Sequence, residues 1–285
     1  MRDKKLCLNT SPQHGLPVEE QIRRIGEAGF DGFFTAWEPG APVERWARQA
    51  EALGLEYQSI HAPCAHVAEI WREGPAGDAA VDELRSCLAD CARWNVPIMI
   101  SHAYIGFDGE PCAPTDLGVE RFGRLVRDAE ACGVRIAFEN TEGEPYLAKL
   151  LESFADSPAV GYCWDSGHEM CYSHSRNLLA LYGGKLICTH LNDSLGVRDH
   201  AGRISPLDDL HLLPFDGIAD WKKLAGRLSA CGYQGPLTFE LKPHSQPGRH
   251  ENDVYARMDI RDYFAACYVR ACRVAALVLA AEGRL

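Results

Sequence analysis

Stretches in which apolar residues recur every three or four positions alternate along this chain with short runs that are apolar almost throughout. EEQIRRIGEAG precedes FDGFFTAW, and VERWARQAEALG precedes LEYQSIHAP. RFGRLVRDAEACG precedes VRIAFENT, and WKKLAGRLSACG precedes YQGPLTFELK. The first member of each pair has the period of a helix with one buried face. The second reads as a strand covered on both sides. Gly29, Gly54, Gly133 and Gly232 end the helical stretches, where a left-handed residue closes a helix without strain. The remaining strands are KKLCLNT, VPIMISHAY, VGYCWDSGH and KLICTHLND. Eight strands alternating with helices, with no linker-like break, predict a parallel sheet wrapped by helices. In one uninterrupted chain this pattern favours an α/β fold of one domain, a (β/α)8 TIM barrel over 1–285, against an open doubly wound sheet.

Composition changes this picture little. With 46% hydrophobic and 24% charged residues, the chain is ordinary for a globular protein. Its longest apolar candidate, VRACRVAALVLAAEG, carries two arginines and reads as an amphipathic helix. A membrane span needs roughly 18–20 apolar residues, so no membrane partner is expected. MRDKKLCLNT lacks the apolar core of a secretion signal. The 12 cysteines are scattered without a CxxC pair, and Cys87 and Cys91 stand four apart on a helix. They read as reduced thiols of a cytoplasmic protein. A net charge of -11 argues against a general polyanion binder.

Chemistry in such a barrel sits where the strands end. The third strand ends at His61, the fourth at His102 and the fifth at Glu139. The sixth delivers Asp165 and then His168, the seventh His190 and the eighth Glu240. A carboxylate at the inner end of an apolar strand costs several kcal/mol unless a cation or donors meet it. Side chains alternate along a strand, so Ala137, Cys163, Cys188 and Thr238, two positions earlier, share the inner face. All are small, whereas the outward neighbours Phe138, Trp164 and Phe239 are large. Room is thus left for an ion and a substrate. Glu139, Asp165, His190 and Glu240 mix carboxylate with imidazole, a set suited to one divalent ion among Mn, Co, Mg, Fe or Zn. His61, His102 and His168 read as ligands of a second ion, as substrate-binding groups or as core histidines. In DDLHLLPFDG, Asp209 and His211 reach one ion from a loop, or else form a turn and cap for IADWKKLAGRL. Lys242 either meets an anionic substrate group or is simply exposed, and His174, His200, His244 and His250 read as solvated loop residues. No Walker loop, GxGxxG or GxSxG is present.

FEN, WDSGH, HLND, DLHLLPFDG and FELK, in this order on eight strand–helix units, resemble the xylose isomerase-like TIM barrels. That superfamily includes sugar isomerases and epimerases, inosose dehydratases and endonuclease IV, and the resemblance covers essentially the whole chain. In its epimerase branch the metal ligands fall on Glu139, Asp165, His190 and Glu240, the two glutamates also act on the substrate carbons, and the histidine matching His168 contacts substrate. The endonuclease IV branch implies up to three Zn ions, held by these four together with His61, His102, His168, Asp209 and His211. Ketose 3-epimerases carry a further glutamate and an arginine, whereas here Glu142, Glu144 and Arg198 stand at other spacings.

The expected activity is that of a divalent-metal-dependent isomerase or epimerase acting on a sugar, sugar phosphate or polyol. Glu139 and Glu240 would carry protons next to a carbonyl, with the enediolate charge held by the ion. The alternatives are an endonuclease IV-like zinc phosphodiesterase acting on abasic DNA, an inosose dehydratase-like lyase and a non-catalytic sugar-binding barrel. A small carbohydrate is the expected partner, nucleic acid is not, and association into a homo-oligomer stays open.

Overall fold

The computed structural model describes residues 4–107, 113–173, 175–198 and 204–285. Its strands are β1 (Leu6–Asn9), β2 (Gly32–Ala36), β3 (Glu56–His61), β4 (Ile98–His102), β5 (Arg135–Glu139), β6 (Val160–Asp165), β7 (Leu186–His190) and β8 (Leu237–Phe239). Between them run α1 (Val18–Ala28), α2 (Val43–Leu53), α3 (Pro75–Arg93), α4 (Asp116–Cys132), α5 (Glu144–Ser153), α6 (Ser166–Cys171), α7 (Leu178–Tyr182) and α8 (Trp221–Ala230). After β8 come α9 (Asp253–Ala256) and α10 (Ile260–Ala281).

All eight strands are parallel and ordered β7-β6-β5-β4-β3-β2-β1-β8. Between β7 and β8 the seam closes through a bridge of Leu191 with Phe239, where Leu191 N–H donates to Thr238 O at 2.8 Å. This is the (β/α)8 barrel that the alternation of strands and helices implied. Gly29, Gly54 and Gly133 cap α1, α2 and α4 at φ of 106°, 66° and 75°. Gly232 is also left-handed, but it follows Cys231, which is the cap residue of α8.

Two apolar layers result. Ile98, Ile100, Ala137, Cys163 and Cys188 fill the barrel interior. Phe138, Trp164 and Phe239 point outward into the larger layer between strands and helices. Helix α10 buries Tyr263, Phe264, Cys267, Ala271, Val274, Ala275 and Val278, spaced three or four apart, and packs on α1 and α8. It spans 22 residues, longer than the expected stretch. By length and composition it is the one described helix able to cross a bilayer, with 33% of its most apolar window buried. The described cysteines are all free thiols, Cys87 and Cys91 among them.

Candidate metal centre at the strand ends

Register decides which side chains meet. Glu139 pairs with His102 across β4 and β5, and Asp165 with His190 across β6 and β7, so the strand ends present their groups at one level. Each of Glu139, Asp165, His190 and Glu240 has a donor atom within 4.8 Å of every other. His190 Nδ1 lies 3.0 Å from Glu139 Oε1 and 3.1 Å from Glu240 Oε2. Glu139, Asp165 and His190 are fully buried.

Two more groups adjoin this ring. His61, His102 and Glu139 form one, with both Nε2 atoms facing Glu139 Oε2 at 3.3 and 3.2 Å. His168, Asp209 and His211 form the other, with His211 Nε2 2.7 Å and His168 Nε2 3.6 Å from Asp209. Glu139 belongs to two of the three groups. His61, His168 and His211 are aligned in one way: the Nδ1 of each bonds a backbone carbonyl, that of Ala62, Asn140 or Glu240. This leaves Nε2 turned to the centre, the orientation a metal-ligating histidine needs. His211 also holds a left-handed backbone at φ 46°, an uncommon conformation for a side-chain-bearing residue. Lys242 Nζ stands 3.6 Å from Asp209 Oδ2.

The electrostatics follow from packing acids and imidazoles out of water. Burial beside Glu139 and Glu240 pushes the Asp165 carboxyl up to about 6, against the pull of His168 and His211. Burial opposes charging of His102, yet Cys64 and Glu139 outweigh it and hold its pKa at about 10. His168 and His190 are raised in the same contest, by Asp165 and Asp209 and by Glu139 and Glu240 respectively. Glu139, Glu240 and Asp209 are held below the usual carboxylate range despite their burial, Glu139 by His190 and His102, Glu240 by His211 and His190, and Asp209 by His211, Lys242 and His168. The protons on these histidines thus stand where positive charge is demanded. Four mixed oxygen and nitrogen donors in one buried cluster fit a divalent ion, whose binding would displace those protons.

Neighbours that the strand-end pattern did not single out position the centre. Asn140 Nδ2 donates to Asp165 O and Asn140 Oδ1 accepts from Asp165 N–H, both at 2.9 Å. Asn192 Nδ2 donates to Asp165 Oδ2 at 2.9 Å, while the other carboxylate oxygen accepts from His168 N–H at 2.6 Å and caps α6. A Cβ on Gly167 would lie 1.9 Å from Asn192 Oδ1, so the glycine of WDSGH makes room for that amide. Their signal in the sequence is the asparagine of FEN and of HLND, polar residues beside ligands in otherwise apolar strands. Cys64, in the loop after β3, is pushed up by burial but brought down to about 7 by His102 and His61. Glu142 accepts from Gly106 N–H at 2.6 Å, its other oxygen is buried without a partner, and burial raises its pKa.

Elsewhere the bland readings hold. Glu144 pairs with Arg176, and Arg198 with Asp208. The cap of α8 is Asp220, and Asp209 and His211 stand with His168 instead. His244 and His250 are exposed, and His174 and His200 lie outside the described residues.

A family model described as xylose isomerase-like TIM barrel matches residues 22–260. An uncharacterized protein, y4fM of Sinorhizobium fredii (strain NBRC 101917 / NGR234), is 30% identical over 290 residues, covering 86% of this chain and 89% of its own. Among solved structures, an L-ribulose 3-epimerase superposes with a TM-score of 0.71 at 17% identity, over 99% of this chain and 96% of its own. A xylose isomerase-like TIM barrel/4-hydroxyphenylpyruvate dioxygenase fusion protein superposes at 0.68 and 19% identity over 90% of this chain, which spans 41% of the fusion. At such identities the structural likeness establishes the fold.

Proposed function

The chain belongs to the xylose isomerase-like TIM barrel family, and from that premise we propose that it is a divalent-metal-dependent isomerase or epimerase of a small sugar, sugar phosphate or polyol. One observation carries the reading: Glu139 and Glu240 approach His190 Nδ1 from β5 and from the end of β8, at 3.0 and 3.1 Å. Two carboxylates in one cluster can remove a proton from a carbon beside a carbonyl and return it. A divalent ion, when bound by Glu139, Asp165, His190 and Glu240, supplies the Lewis acidity that such a carbon acid needs. Asp165, fixed by Asn140, Asn192 and the His168 amide, holds the ligand geometry. The structural neighbour named L-ribulose 3-epimerase supports this class of substrate.

The test is a panel of ketoses, aldoses and inososes in D2O with metal-loaded protein, followed by NMR. Deuterium should enter at the carbon beside the carbonyl. Glu139→Gln and Glu240→Gln should keep metal but lose turnover by about 100-fold or more, the scale of a general base. Asp165→Asn and His190→Asn should act through metal loss and recover partly in excess ion. Normal turnover by both glutamine variants at full metal occupancy contradicts the acid/base assignment.

A second reading rests on the other two donor groups. Nine residues in three clusters, with Glu139 shared, match the ligand set that the endonuclease IV resemblance implies for three zinc ions. Zinc held by these residues would supply the Lewis acidity that phosphodiester hydrolysis needs. An ion count near three per chain would favour it, and a count near one the isomerase.

A further inference from the structure

A fourth donor group lies under the carboxylate ring, and its two thiols belong to neither reading. Cys163 on β6 and Cys188 on β7 are register partners, both fully buried, in the apolar layer that fills the barrel. Each sulfur lies within 4.8 Å of the other and of a ring nitrogen of His190. The His190 ring presents Nδ1 to Glu139 and Glu240, and its Nε2 is buried with no hydrogen-bond partner. This distinguishes it from His61, His168 and His211, each of which ties one nitrogen to a backbone carbonyl. Gln58 reaches the same place from β3 and donates its amide to Cys188 Sγ at 3.1 Å.

Packing alone does not require this grouping. Ala137 fills the same layer with a plain methyl, and a buried thiol packs as a small hydrophobe wherever it stands. An imidazole nitrogen left bare in the interior is costly, and two thiols are weak partners for it. An ion about 2.3 Å from each sulfur and about 2.0 Å from nitrogen sets its donors roughly 3.5–3.8 Å apart. The two sulfurs and a ring nitrogen of His190 already lie within 4.8 Å of one another.

We propose that Cys163, Cys188 and the Nε2 side of His190 form a second, soft metal site for a thiophilic d10 cation such as Zn2+, Cd2+ or Cu+. Hard ions select the carboxylate ring above it, and soft ions select the thiols. Loading with a divalent ion forms two metal–sulfur bonds and releases the two thiol protons to solvent. Coordination by Nε2 releases the proton carried there, and the Nδ1 proton leaves as well where His190 bridges ions in both sites. Because the two sites share His190, filling the lower one changes the affinity of the upper one.

Metal-stripped full-length protein titrated with Cd2+ provides the test, read as thiolate-to-metal charge-transfer absorption in the ultraviolet. The band should saturate at one Cd2+ per chain and persist in Asp165→Asn, where the upper site is impaired. It should vanish in the Cys163→Ser/Cys188→Ser double variant and be unaffected by Cys64→Ser. No band, survival of the band in the double variant, or its loss in Cys64→Ser overturns the proposal. Should the double variant fail to fold, anomalous scattering from Cd2+-soaked wild-type crystals decides. An ion against both sulfurs supports the site, and density only among the carboxylates overturns it. Neither readout uses turnover, so the outcome is independent of the sugar reaction.

Discussion

His14 and His102 are buried to nearly the same degree, 6% and 7% exposed, yet they titrate in opposite directions. Burial takes His14 down to about 4, because the partner of its Nδ1 is the neutral Gln21 amide, at 2.8 Å. His102 faces Glu139 and rises to about 10. The strand-end histidines were legible in the sequence because β-strand register fixes where they point. His14 was not, since its burial comes from Tyr263 and Phe264, some 250 residues away on α10. Its lowered pKa carries a pH signature. The unfolded chain takes up a proton near pH 6.5 while the folded chain refuses it until about 4, so this part of the stability is present above 6.5 and is lost as pH falls through that window. The full shift corresponds to at most about 3 kcal/mol. Urea unfolding of wild type and His14→Leu at pH 7 and pH 4.5 should show wild type ahead at pH 7 and its lead shrinking at pH 4.5. A constant difference between the two would mean that His14 is not buried as a neutral ring.

Among the elements, strands and helices were legible wherever their period is regular, and the loops between them were not. Helix α4 starts at Asp116, ahead of the RFGRLVRDAEACG stretch, because Thr115 caps it by accepting from Gly118 N–H. Strand β8 is only Leu237–Phe239, so Glu240 stands just beyond it, hydrogen-bonded through its N–H to Leu191 O. The loop from β7 to α8 is organised by Asp193, a residue that HLND contains but that no periodic pattern marks. Its Oδ1 accepts from the N–H groups of Ser194 and Ala219, and its Oδ2 from Phe215 N–H and Trp221 Nε1–H. Asp193 also pairs with Leu212, next to His211. Removing the carboxylate strands several buried donors, each worth about 1–3 kcal/mol when left unmade. Asp193→Ala should therefore cost roughly 3 kcal/mol or more of unfolding free energy and open the loop around Asp209 and His211 to limited proteolysis. Wild-type stability and protease resistance in that variant would show that another contact holds the loop.

For the whole molecule, the barrel and its family were legible because eight strand–helix units and five short motifs leave few alternatives. The number of ions was not, since the nine residues that the endonuclease IV branch implies include the four of the epimerase branch, and the structure brings all nine into adjoining groups. Charge separates the two branches better than ligands do. Binding a nucleic acid strand requires cations free to replace its counterions. This chain carries a net charge of -11, and the described cations near the centre are already engaged. Arg198 and Arg249 both pair with Asp208, Arg249 also with Glu251, and Lys242 stands beside Asp209. Prying them from these carboxylates would oppose docking of a polyanion, whereas a neutral sugar meets no such opposition. Protein loaded with Zn2+ or Mn2+ should leave an abasic-site duplex uncut at physiological salt, under conditions where a phosphodiesterase control cuts it completely. Asp209→Asn is the companion variant, because Asp209 lies outside the four-residue ring. On the isomerase reading it should leave deuterium incorporation into the sugar largely intact. Metal-dependent incision that Asp209→Asn abolishes would mean that all three clusters act together, and the sugar reaction would then give way to phosphodiester hydrolysis.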